Sequence, residues 1–308
     1  MKTRVTQALR LCVLLAVACV GCLAQGNEPV LEIPFDFYRN EIIVQVQVDG
    51  KGPFNMMVDT GTDPSAIDLT TARELGLKLQ PLRARASGGG TEASAIYGTR
   101  LPVVELGPLT VENLETVAID LSKMSERLGK PLHGVLGHGF LNGRIVQIDY
   151  PGRKLRIYSR SLFAKAAGQL NTSNRAVLPF RYDDNVLLDG VLVNGKKLVA
   201  NLDTGSDDGF KLTPAAVSYL GLEEDFNRAR TATSIGFNGV SENREGRVNN
   251  ITIGGISIDA PAVIFFGKGT GRDKKAWGLN IGNTFLKDFV VTIDYRSKLL
   301  MLESVNTN

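Results

Sequence analysis

The sequence predicts a mainly β protein of two tandem lobes with a short helix in each, related by an approximate twofold axis, and three observations predict it. A short acidic turn is written twice, as "MMVDTGTD" at 56–63 and "ANLDTGSD" at 200–207. Each copy is preceded and followed by parallel text. The spacing between matched positions hardly changes, being 144 residues from Asp59 to Asp203 and 145 from Gly50 to Gly195, Gly137 to Gly282 and Asp149 to Asp294. By average residue usage the pattern Asp-Thr-Gly-[Ser/Thr]-Asp arises at a given position on the order of once in a million, so two copies mark a duplication. The period is far too long for a solenoid.

The elements follow in order. Residues 28–40 read as a lead-in strand and loop. "IIVQVQV" alternates with the period of a half-buried strand. "VQVDGKGPFNMMVD" and "GVLVNGKKLVANLD" then repeat one plan, two strands around a tight turn, with Asp49-Gly50 and Asn194-Gly195 at the positions that need positive φ. After the acidic turns, "LTTARELGL" (69–77) and "LTPAAVSYLGL" (212–222) read as short helices, with Thr213 as N-cap, Pro214 at the first helical position, and Gly76 and Gly221 as stops. Each copy next carries a glycine-containing excursion, "ASGGGTEAS" (86–94) and "SIGFNGVSE" (234–242), suited to a hairpin tip that closes over a bound segment. Finally "GVLGHGFLNGRIVQIDYPGRKLRIY" (134–158) answers "GLNIGNTFLKDFVVTIDYRSKLLML" (278–302). Residues 159–174 lack any period and read as a connector, giving lobes at 28–158 and 175–303. A chain of 308 residues, 43% apolar, has material for two such domains, each with its own core.

The first 25 residues belong to neither lobe. Lys2, Arg4 and Arg10 precede "LCVLLAVACVGC", an apolar run too short to span a bilayer but suited to a secretory signal. Two readings of its end stand open. "CVGC" resembles a bacterial lipobox, which makes residues 1–22 the signal and Cys22 a lipidated first residue, although Cys19 stands where Leu is usual; ordinary cleavage after Ala24 is the other. Either predicts an exported protein, periplasmic or anchored by lipid. Without the signal, 35 basic residues become 32 and match the 32 acidic ones, so the apparent charge of +3 is no argument for nucleic acid. All three cysteines (Cys12, Cys19, Cys22) also lie in that segment, leaving the lobes to stability from packing.

An isolated Asp in a turn usually caps a backbone N–H. Two equivalent turns related by a twofold axis can instead bring Asp59 and Asp203 together. Gly61 and Gly205, without Cβ atoms, let the two backbones approach, and Thr60 and Thr204 can hydrogen-bond across the junction, with Thr62 and Ser206 supporting the turns. Two carboxylates about 3 Å apart at an effective dielectric near 20 repel by about 5 kcal/mol, so they share one proton near neutral pH. One then serves as general base on a water held between them while the other donates to a substrate carbonyl. That chemistry hydrolyses an amide with neither metal nor other cofactor.

These turns, followed 78 residues later in the first copy and 79 in the second by the glycine of an apolar-Gly motif ("VLGHGFL", "NIGNTFL"), resemble the retropepsin-like aspartic proteases over nearly all of residues 40–303. The resemblance implies that Asp59 and Asp203 are catalytic and that Thr60 and Thr204 form the interlobe grip. It implies that the apolar-Gly strands pack behind the turns. It places glycine-rich flaps at Gly88, Gly89 and Gly90 and at Gly236, Phe237 and Gly239, and gives Asp63 and Asp207 the substrate main chain. The sequence departs from the retroviral pattern where Arg-Asn follows the late Gly: here His138-Gly139 follows Gly137 and Asn283-Thr284 follows Gly282. The ion pair which that Arg makes to the second Asp therefore lacks its usual source. The viral enzymes also assemble from two identical chains, whereas this chain is a fused pair, expected to be a monomer with an internal pseudo-dimer.

Other motifs carry less. His133 and His138 fit no zinc spacing, no Gly-x-Ser-x-Gly elbow occurs, and "GKGTGRDKK" (267–275) lacks the phosphate-loop order. Trp277 reads as core or cleft wall. The expected partner is an extended polypeptide, with no nucleic acid and no membrane contact beyond a lipid anchor. The expected activity is endopeptidase; the rival is a non-catalytic peptide-binding lipoprotein of the same fold.

Overall fold

The computed structural model describes residues 29–83, 95–159, 174–236, 239–267 and 275–305. The signal segment with Cys22, the first excursion with Gly88, Gly89 and Gly90, and Phe237 of the second lie outside the described residues. Among the described residues no helix is long and apolar enough to cross a membrane.

In both lobes the hairpin before the acidic turn forms as expected. Glu41–Val48 pairs with Lys51–Val58 and Val186–Val193 with Lys196–Leu202. The turn residues Asp49 and Gly50 take φ of 52° and 70°, and Asn194 and Gly195 take 50° and 77°, the left-handed region such a turn requires. Alternation puts Ile42, Val44, Val46 and Val48 in the core and leaves Gln45 and Gln47 exposed.

The first lobe closes into a six-stranded barrel. Its order is Glu41–Val48, Lys51–Val58, Gly134–Leu136, Ala66–Asp68, Leu109–Ile119 and Tyr97–Leu106, which returns to Glu41–Val48. In the second lobe the two outer strands are each broken in two. Gly239–Arg247 is followed by Asn250–Ile253, which rejoins Val186–Val193; Ile256–Asp259 is followed by Ala262–Phe265.

A six-stranded antiparallel sheet joins the lobes. Leu31–Pro34, Lys154–Tyr158 and Ile145–Asp149 come from the first, and Phe289–Asp294, Leu299–Ser304 and Arg175–Tyr182 from the second. At its centre Ile145–Asp149 pairs with Phe289–Asp294, and Gln147 faces Thr292, its own counterpart 145 residues on. A residue opposite its own duplicate marks the twofold axis. Gln147 Nε2 donates to Thr292 Oγ1 there, at 3.0 Å.

The expected helices form at Leu69–Glu74 and Pro214–Leu220. Thr213 Oγ1 accepts from Ala216 N at 3.2 Å, and Gly221 closes the helix with φ of 76°. The first helix is capped by Asp68, which accepts from Thr70 N and Thr71 N. Among the described residues four further short helices occur at Ser122–Leu128, His138–Leu141, Glu223–Arg228 and Asn283–Leu286, the second and fourth a single turn each. One turn is too short to display a helical period. Trp277 is core, packed with Leu187 and Phe266.

Candidate active site

The strands Lys51–Val58 and Lys196–Leu202 deliver Asp59 and Asp203 to the axis, and the turn after each is locked from behind. Asp59 N donates to Leu136 O and Asp203 N to Ile281 O, at 3.1 and 2.9 Å. Beyond the late glycines, His138 N donates to Thr62 O and Asn283 N to Ser206 O, both at 2.7 Å. A Cβ on Gly137 would lie 2.3 Å from Thr62 O, and one on Gly282 2.6 Å from Ser206 O. The apolar-Gly strands therefore pack directly behind the turns, as the resemblance implies.

The two threonines form a reciprocal grip. Thr60 Oγ1 donates to Leu202 O at 2.7 Å and accepts from Thr204 N at 3.1 Å; Thr204 Oγ1 donates to Val58 O at 2.9 Å and accepts from Thr60 N at 3.0 Å. Both side chains are buried, so each hydroxyl satisfies one carbonyl and one amide that water does not reach.

The glycines show how close the lobes come. A Cβ on Gly205 would sit 2.2 Å from Asp59 Cγ, and one on Gly61 2.9 Å from Asp203 Oδ1 and 3.2 Å from Asp59 Oδ1. Asp59 and Asp203 are within hydrogen-bonding reach of each other. Asp59 Oδ1 accepts from Gly61 N at 2.6 Å and Oδ2 from Thr62 Oγ1 at 2.5 Å. Asp203 Oδ1 accepts from Gly205 N at 3.1 Å. Burial, reinforced by the neighbouring charge of Asp203, pushes the Asp59 carboxyl up to about 7. Ser206, the counterpart of Thr62, is buried with its Oγ unpartnered among the described residues.

The second Asp of each turn is held from the opposite lobe. Arg127, on the first-lobe helix Ser122–Leu128, reaches Asp207 Oδ2 at 2.5 Å and, through its other terminal nitrogen, Glu41 Oε1 at 2.5 Å. Glu41 is fully buried, and that burial lifts its carboxyl well above the usual range while Arg127 opposes the rise. Arg127 thus supplies the ion pair whose usual source is missing. On the other side Tyr182 donates its hydroxyl to Asp63 Oδ2 at 2.8 Å. Its ring stacks on His138 with centroids 3.6 Å apart. The residues after the late glycines also face the opposite lobe's partner tyrosine: Tyr150 OH donates to Asn283 Oδ1 at 2.6 Å, and His138 lies 5.6 Å from Tyr295.

The second excursion is a hairpin, Arg230–Gly236 with Gly239–Arg247, in which Gly236 faces Gly239 and the latter takes φ of 102°. Its strand Arg230–Gly236 lies beside the first-lobe helix Ser122–Leu128, and Ile235 and Val240 stand exposed near the tip. The hairpin therefore crosses toward the other lobe.

Reasoning from the sequence missed Glu41, Arg127, Tyr182 and Asn280. Two left a signal in the comparison of the copies, where Glu41 stands opposite Val186 and Asn280 opposite Val135. Arg127 and Tyr182 left none, because their partners are remote in the chain.

No curated protein matches this sequence. The family described as Aspartyl protease matches it twice, at residues 44–140 and 190–283, once in each lobe and over more than half of the chain. Both matches contain an acidic turn and the late glycine that packs behind it, and the chain belongs to the aspartyl protease family.

Proposed function

We propose that the protein is an aspartic endopeptidase that hydrolyses an extended polypeptide with a water activated between Asp59 and Asp203. The observation that carries this reading is the meeting of the two acids at the axis, with Asp59 pushed up to about 7. A pair so arranged holds one proton over the acid-to-neutral range and offers a base and an acid at once. Both Thr-Gly pairs are intact, and the hairpin Arg230–Arg247 stands ready as a flap over a strand-like substrate. Asp63 and Asp207, pinned by Tyr182 and Arg127, are the groups this reading assigns to substrate main chain.

The test is digestion of an unfolded protein across roughly pH 3–8, the range in which such carboxyl pairs titrate, with released peptides read by mass spectrometry. Wild type should cut, and Asp59→Asn and Asp203→Asn should each lower the rate by at least about 10²–10⁴-fold while melting cooperatively. Wild-type turnover in either variant would end the paired mechanism. No cleavage by wild type at any pH would leave a peptide-binding protein of the same fold.

A further inference from the structure

Behind the two acids the copies differ. In each lobe the strand that ends at the acid runs parallel to the apolar-Gly strand, and the copies part in the middle one of the three residue pairs that face across them. In the first lobe it is Met57 with Val135; in the second it is Asn201 with Asn280. All four are buried. Asn201 Nδ2 donates to Asn280 Oδ1 at 2.7 Å, and Asn280 Nδ2 donates to Asp203 Oδ2 at 3.0 Å. Two buried amides where the other copy has a thioether and an isopropyl group carry a desolvation cost, and they form a chain in which Asn201 donates to Asn280 and Asn280 alone donates to the carboxylate.

The donors differ in kind as well as place. Thr62, which serves Asp59 Oδ2, is a hydroxyl that donates to a carboxylate or accepts from a carboxylic acid by rotating its proton. The Nδ2 group of Asn280 donates only, and with its Oδ1 taken by the bond from Asn201 it is this donor end that faces the acid. The contact favours an unprotonated oxygen on Asp203, while that on Asp59 tolerates either state.

We propose that Asn280, held by Asn201, is a positioning residue that keeps the charge of the pair on Asp203 and the proton on Asp59. This rests on the peptidase reading and assigns its roles. Asp203 takes a proton from the water as the water oxygen bonds to the carbonyl carbon, and Asp59 gives its proton to the carbonyl oxygen. Collapse of the resulting gem-diol breaks the C–N bond. The amine nitrogen then takes the proton from Asp203, and a gem-diol hydroxyl returns one to Asp59. The other titratable groups facing the pair are Glu41, with Arg127 behind it, and Tyr295 toward Asp59, and Tyr150 toward Asp203; burial raises all three.

The experiment compares Asn280→Val with wild type by two readouts. One is the pH profile of kcat/KM. The other is a carboxyl ¹³C titration of the dyad, assigned with Asp59→Asn and Asp203→Asn, which needs no turnover. In wild type the Asp203 resonance should lose its proton before that of Asp59. In Asn280→Val the acidic limb and that resonance should move up by about 1–2 pH units, with melting temperature as the check on folding. A limb and resonance that stay in place, or an Asp59 resonance that ionises first in wild type, overturns the assignment. Should Asn280→Val fail to fold, Asn201→Met keeps the Asp203 contact but removes its support and should shift both in the same direction by less; no shift overturns it. Resonances that behave as expected in a protein that cuts nothing would sink the peptidase reading and leave the role of Asn280 standing.

Discussion

The two lobes tie their second acidic residue to each other by unlike chemistry. Asp207 is held by a guanidinium that continues into the fully buried Glu41, whereas Asp63 is held by the hydroxyl of Tyr182, stacked on His138. Between them the threonine grip is the same on both sides, bond for bond. The difference teaches what a duplicated chain retains under constraint and what it is free to change. The grip uses each hydroxyl to satisfy the other lobe's backbone, and any loss leaves buried peptide groups unpaired. The anchors hold partly exposed carboxylates, where several chemistries give the same attachment.

Removing the charged anchor should break the comparison hardest. Arg127→Ala leaves Glu41 buried without its cation and should cost about 3–5 kcal/mol by urea denaturation. The pH dependence has a definite sign. Glu41 already has a raised folded-state pKa, and without Arg127 it escapes the penalty only by holding a proton, so stability falls as pH rises. The cost should be smallest near pH 4–5 and grow toward pH 8; a cost independent of pH would show that Glu41 is not the orphaned group. Next come the threonines. Thr60→Val and Thr204→Val each strand one carbonyl and one amide and should each cost about 2–4 kcal/mol. Because the grip is symmetric, the two losses should agree, and a clear inequality in melting temperature would mean that one lobe bears more of the junction. The neutral anchor should matter least. Tyr182→Phe keeps the ring on His138 and loses one hydrogen bond to Asp63, an effect of about 1 kcal/mol readable in the same denaturation; a loss matching that of Arg127→Ala would erase the distinction between the anchors.

How much of this could be read in advance varies along the chain. The Asp49-Gly50 and Asn194-Gly195 turns were legible because two adjacent positive-φ residues have few other uses. The helix Pro214–Leu220 was legible because its cap, first-turn proline and terminal glycine act locally. Asp68 caps the first helix through the same local geometry, its side chain accepting from Thr70 N and Thr71 N. The helices His138–Leu141 and Asn283–Leu286 are single turns set by packing behind the acidic loops. Glu41 shows the limit most plainly. A carboxylate at the start of a strand is ordinarily solvated, yet Arg127, 86 residues away, makes the burial of Glu41 tolerable.

By itself the sequence determined the duplication, the positions of the paired acids, the threonines beside them and the glycines that allow close approach, because these depend on repeated local patterns and backbone geometry. Only the tertiary structure decided which side chains cross the junction, that one second Asp is held by a cation and the other by a phenol, and that one acid of the pair is backed by amides and the other by apolar groups. Such contacts join residues that sequence distance keeps apart, and their energies depend on burial, which no short stretch of sequence encodes.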